Sequence, residues 1–132
     1  MRRHRHHRGR RTRWLGADGE WIVKARTERF VEPAVLLLLR EGDRHGYELL
    51  ERVPELVAED RVDVGNLYRA LRALEDDGVV ESEWRADLPG PAKRTYRLTE
   101  TGVRLLDRWA EALRLNQALS AEFLRRYEEE RR

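Results

Sequence analysis

The sequence predicts a mainly α-helical fold with a small β-hairpin: a winged helix-turn-helix plus a C-terminal dimerisation helix. Three observations predict it. Val64, Leu67, Leu71 and Leu74 recur at spacings of 3, 4 and 3, which lays one apolar stripe along a helix. Val80, Ser82 and Trp84 alternate with Glu81, Glu83 and Arg85, and the residues from Arg94 to Leu98 repeat that two-residue strand period with Tyr96 and Leu98 on one face. Leu106, Trp109, Leu113, Asn116, Ser120, Phe123 and Tyr127 then follow at alternating 3 and 4 spacing, a seam that asks for a partner helix although Asn116 and Ser120 make its middle polar.

Taken in order, residues 1–13 hold seven arginines, three histidines and no acid. With so little to bury, residues 1–18 are expected to be a disordered arm. The glycines and aspartate within 15–19 suit a turn. Trp21, Ile22, Ala25, Phe30 and Val31 carry a weak helical periodicity, read as a candidate short helix. Pro33 suits the first turn of a helix, residues 34–40 read as a largely buried helix, and Gly42 stops it. A second short helix is expected over 46–53, ending near Pro54. Asp63 is a good N-cap for the striped helix, which Gly78 ends. Residues 88–93 form the turn-rich tip of the hairpin wing, and Thr99 can cap the last helix. The winged-helix domain is thus expected over 19–98 and the dimerisation helix over 99–132.

A length of 132 residues suits one domain with tails. No cysteine is present, which excludes disulfides and zinc-thiolate sites and fits a reducing compartment. The longest apolar run, residues 34–39, is too short to cross a bilayer, and no signal-peptide core follows the arginines. A soluble, cytoplasmic and nucleoid-associated protein without membrane contact is expected. The net charge of +2 conceals an asymmetry: once the arm's seven arginines are set aside from the 27 basic residues, 20 face 25 acidic ones, a net of −5. The basic character lies in the arm, which favours polyanions through counterion release.

Four blocks in this order resemble the PadR family of bacterial transcriptional regulators, over about residues 34–109. They are the leucine-rich helix with Gly42 and His45-Gly46-Tyr47; Gly65-Asn66-Leu67-Tyr68; Leu74-Glu75-Asp76-Asp77-Gly78-Val79-Val80; and Lys93-Arg94-Thr95-Tyr96-Arg97-Leu98-Thr99-Glu100-Thr101-Gly102. The resemblance implies a dimeric winged-helix repressor of the shorter type, with one helix after the wing. It also implies that residues 63–77 are the recognition helix, that Lys93 and Arg94 sit in the wing, and that a small-molecule effector is a candidate partner. Asn66 stands where the family commonly has serine or threonine.

On a helical wheel Arg69 lies opposite the apolar stripe, with Asn66 and Arg72 flanking it and Tyr68 at its border. Arginine and asparagine have the geometry to grip guanine and adenine edges. Expected contacts to double-stranded DNA are therefore Asn66, Arg69 and Arg72, with Lys93 and Arg94 reaching the backbone or minor groove. Tyr68 and Tyr47 divide evenly between contact and packing. Leu106, Trp109, Leu113, Phe123 and Tyr127 are assigned to the homodimer or effector interface, Trp109 as a core aromatic or as a flat wall for a planar ligand. His45 is expected to cap or pack at its helix start. His4, His6 and His7 make at most a loose metal site, so no metal and no cofactor is assigned. No phosphate loop, nucleophile elbow or paired histidine motif is present, and no catalytic residue is named.

The expected function is a sequence-specific, ligand-responsive repressor that binds a pseudo-palindromic operator as a homodimer. A metal-responsive regulator and a winged-helix protein adaptor are the alternatives. If the arm neutralises phosphates, each contact steepens the fall of log affinity with log salt by about 0.9. Deleting residues 1–13 is then expected to flatten that slope by several units while leaving discrimination between operator and random DNA nearly unchanged. An unchanged slope would make the arm a solubilising tail.

Overall fold

The computed structural model describes residues 12–24, 30–57, 62–86 and 90–131. These residues form two units, one over Glu28–Leu106 and one combining the N-terminal segment with Asp107–Arg132.

In the first unit, α1 (Val31–Glu41) carries Pro33 in its first turn and stops at Gly42. Its Ala34, Val35, Leu36, Leu38 and Leu39 are buried. A two-residue strand, β3 (Arg44–His45), leads into α2 (Gly46–Arg52). There the Glu48 carboxylate accepts from the His45 N–H at 2.8 Å, a bond that ties the first turn to its cap residue as expected for His45. Pro54 ends α2 by opening a 3-10 turn, Val53–Glu55. Helix α3 (Val64–Asp76) starts where the Asp63 carboxylate accepts from the Asn66 N–H at 3.0 Å. Gly78, at φ +76°, follows its last turn.

The wing consists of β4 (Val80–Arg85) and β5 (Lys93–Leu98), antiparallel from Val80↔Leu98 to Arg85↔Lys93. Strand β3 adds to the other edge of β5 through Arg44↔Tyr96 and His45↔Thr95 only, giving the order β3-β5-β4. Thr99 joins wing to helix: its hydroxyl donates to the Gly78 carbonyl at 2.7 Å and accepts from the Gly102 N–H at 3.1 Å. Helix α4 (Glu100–Glu130) begins there and continues into the second unit. The first unit closes over Leu49, Val53, Leu67, Leu71, Leu74, Val79, Val80 and Leu105, all with essentially no exposed surface.

Three expectations are corrected. The candidate short helix beginning at Trp21 is a strand, β2 (Trp21–Val23), paired with β1 (Arg13–Leu15). The sequence favours this because Gly16-Ala17-Asp18-Gly19 reverses the chain, with Gly16 N–H on the Glu20 carbonyl at 2.8 Å and Gly19 at φ +83°. The arm therefore gives way to a strand at Arg13, ahead of residue 18. Val64 is not in the buried stripe but 54% exposed, because it occupies the first helical position, ahead of the packed turns. Expectations about the arm's first 11 residues, about His4, His6 and His7, about positions 25–29 of the candidate short helix, and about the wing tip at 87–89 lie outside the described residues, and Val31 opens α1 instead of closing that short helix. Among the described residues no helix is long and apolar enough to cross a membrane.

Leu71→Ala is expected to cost about 2–5 kcal/mol, the range for truncating a fully buried leucine. Asp63→Ala is expected to cost about 1 kcal/mol, the cap alone. Urea unfolding checks both, and equal losses would mean that the stripe does not anchor α3.

Candidate nucleic-acid interface

Because Leu67, Leu71 and Leu74 are buried, the helical period turns Asn66, Arg69 and Arg72 to solvent on the opposite side, as the wheel predicts. Arg69 donates to the Asn66 side-chain oxygen at 2.5 Å and lies 4.0 Å from the Asp63 carboxylate, with both charged side chains about two-thirds exposed. The Asp63-Asn66-Arg69 chain holds the guanidinium over the first turns of α3 by links that water can replace. An exposed pair of this kind is worth about 0–1 kcal/mol.

Between α2, α3 and the wing lies a cleft of about 710 Å³ lined by His45, Gly46, Tyr47, Tyr68, Arg72, Glu75, Asp76, Trp84, Lys93, Arg94 and Tyr96. Its walls are aromatic and its rim carries three basic and two acidic side chains. The Tyr47 ring stacks on His45 with centroids 5.7 Å apart. Lys93 Nζ sits 4.9 Å above the Tyr47 ring and 3.4 Å from its hydroxyl. The Tyr68 hydroxyl occupies the space a β carbon on residue 46 would need, so Gly46 lets the tyrosine lie across the start of α2. Burial pushes the Tyr96 hydroxyl up from its ordinary value, against the opposing charge of Arg94.

Of the expected DNA contacts, the structure brings Tyr47, Tyr68, Arg72, Lys93 and Arg94 around this cleft, and sets Asn66 and Arg69 on the exposed face of α3. Lys93 is the first residue of β5 instead of part of the tip. Arg94 is engaged inside the molecule: Nε donates to Ser82 Oγ at 2.8 Å and Nη2 lies 3.5 Å from Glu75 Oε2.

In the second unit, Arg108 donates to Glu20 at 2.9 Å, joining the hairpin turn to α4. Trp109 has no exposed surface, while Leu113 is half-buried and Phe123 and Tyr127 are exposed; Leu106, the last residue of the first unit, is half-buried as well. Leu115, Leu119 and Leu124 are exposed as well, and sequence reasoning missed them. The signal for Leu115 and Leu119 is their spacing of four from each other and from Phe123 and Tyr127, the two seam residues with which they form one row. Trp84 was missed as a site residue too. Strand alternation grouped it with buried Val80, yet it is 65% exposed under the Arg94 guanidinium, 5.7 Å away. Among the described residues no cluster of histidine, aspartate and glutamate could hold a metal ion.

A three-helix module with a two-stranded wing and an exposed arginine-bearing helix face defines a winged-helix regulator. The sequence model of the Transcriptional regulator PadR-like family matches residues 35–108, and the chain belongs to that family. A curated relative, transcriptional regulator Rv3488 of Mycobacterium tuberculosis, is 38% identical over 76 residues, which span 58% of each protein. Bacillus subtilis PadR, solved in complex with operator DNA, is similar at 28% identity and TM-score 0.55 over 62% of this chain and 47% of that one. A PadR family transcription regulator from Clostridium difficile matches in fold at TM-score 0.65 and 23% identity, over 72% of this chain and 98% of that one. The family is one of transcription regulators, not of enzymes.

The close approach at Gly46 yields a test. Gly46→Ala is expected to displace Tyr68 and cost about 1–3 kcal/mol, as overpacking does. In a Tyr68→Ala background the same change should cost almost nothing. A double-mutant cycle in urea measures the difference, and an undiminished cost would place the strain elsewhere.

Proposed function

We propose that this chain is a sequence-specific DNA-binding regulator that lays α3 in the major groove and acts as a homodimer on a pseudo-palindromic operator. The observation that carries this reading is the two-sidedness of α3. Its leucines are locked inside the first unit and Asn66, Arg69 and Arg72 are displayed together outside. The operator-bound B. subtilis relative supports it. Base reading falls to Asn66, Arg69 and Arg72, while Tyr47, Tyr68 and Lys93 suit the backbone beside the groove. The exposed apolar side chains of α4 supply the pairing surface, and two-fold protein symmetry dictates two inverted half-sites. Repression relieved by a small-molecule effector completes the reading, with cytoplasmic action on the nucleoid.

Selecting bound DNA from a random pool tests it. Two inverted half-sites about 10 base pairs apart, or a multiple of that, are expected. On the selected site Arg69→Ala should weaken binding by about 1–3 kcal/mol while random DNA is bound nearly as before. Equal loss on both would remove Arg69 from base reading, and a pool without enrichment would overturn the function.

A further inference from the structure

Beyond Thr95 the wing is a bare two-stranded ribbon, because β3 pairs with β5 only at Thr95 and Tyr96. Such a ribbon is marginally stable and twists easily, so its direction must be set by side chains. Ser82 on β4 donates to Glu75 Oε2 at 2.5 Å. Arg94 on β5 donates to Ser82 Oγ at 2.8 Å and lies 3.5 Å from the same Glu75 oxygen. The Trp84 ring lies under the guanidinium. One carboxylate on α3 thus gathers both wing strands at the end of the third: Ser82 lies opposite Tyr96, where all three strands are still in register, and Arg94 is the first residue of β5 past the pairing with β3. The Arg94 and Glu75 side chains are 42% and 31% exposed, against 69% and 66% for Arg69 and Asp63, so water screens this link less. The partners differ too: Arg69 is held by its own helix and its cap, whereas the partners of Arg94 lie on two other elements.

We propose that Glu75 is a positioning residue that sets the wing against α3, and that Arg94 is its anchor in the wing instead of a contact to DNA. The inference rests on the DNA-binding reading. It makes the offset between the bases read by α3 and the flanking backbone met by the wing a property of the Glu75-Ser82-Arg94 triangle.

The full chain and its selected DNA provide the test. Glu75→Ala, Arg94→Ala and the double variant are compared with wild type by hydroxyl-radical footprint, salt dependence of affinity and melting temperature. Glu75→Gln takes the place of Glu75→Ala if that variant melts below the assay temperature. Each single variant is expected to lose protection of the flanking nucleotides and keep that of the half-site centres. The double variant should lose no more than either single one, and Glu75→Ala and Arg94→Ala should flatten the salt slope equally, because a displaced wing gives up the same Lys93 contact to the backbone in both. A lower melting temperature with an intact footprint would make Glu75 merely structural and overturn the proposal. It is also overturned if Arg94→Ala flattens the salt slope by about 0.9 more than Glu75→Ala does, because Arg94 would then itself hold a phosphate. A wild-type chain that selects no DNA refutes the DNA-binding reading itself, and this inference with it.

Discussion

The rest of the candidate interface depends on the burial of Leu67, Leu71 and Leu74. Each buried leucine is worth about 1.5–3 kcal/mol, while each polar link on the outer face of α3 is worth about 0–1. The leucines therefore decide the rotation of α3, and the outer residues follow passively. A rotation by one residue, about 100°, would draw a guanidinium toward an apolar core, and no surface pair offsets that cost. What α3 presents is thus fixed before any partner arrives.

The basic side chains fall into two groups according to how firmly the molecule already holds them. Arg69 is held only by exposed, water-replaceable links to Asn66 and Asp63, so releasing it costs little. Lys93 sits over an exposed ring, an arrangement worth about 0.5–1 kcal/mol, so it too is readily released. Arg94 would have to leave a carboxylate, a hydroxyl and an indole face together. Similar residues at adjacent positions of one strand are thereby held to different degrees, set by what stands opposite each of them.

Periodicity made the first unit legible in the sequence. The stripe of α3, the alternation of β4 and β5, and the caps at Asp63 and Thr99 are local signals, and each reports a local physical cause. The N-terminal hairpin was misread because three-residue strands offer too short a run for alternation to outweigh a weak helical pattern. The Glu75-Ser82-Arg94 triangle had no local signal at all. Its members come from three elements 7 and 12 residues apart, and only the packed fold brings them into hydrogen-bonding distance. Exposure at Trp84 was hidden for a related reason, since alternation assigns a face but not the point along a ribbon at which the core beneath it ends.

Helix α4 shows the same limit from the other side. Its apolar side chains change character along its length, and the heptad seam includes only part of the exposed set. Trp109 is wholly buried within the chain, whereas Leu115, Leu119, Phe123, Leu124 and Tyr127 are all exposed. Arg125 pairs with both Glu122 and Glu129 on the same stretch, and holds the Glu122 carboxyl below its ordinary value. Those exposed pairs support the helix only weakly, so they do not explain a 31-residue helix with five large apolar side chains in water. The homodimer proposed above would bury that face, and the polar step at Asn116 and Ser120 beside it would then favour one register over its neighbours.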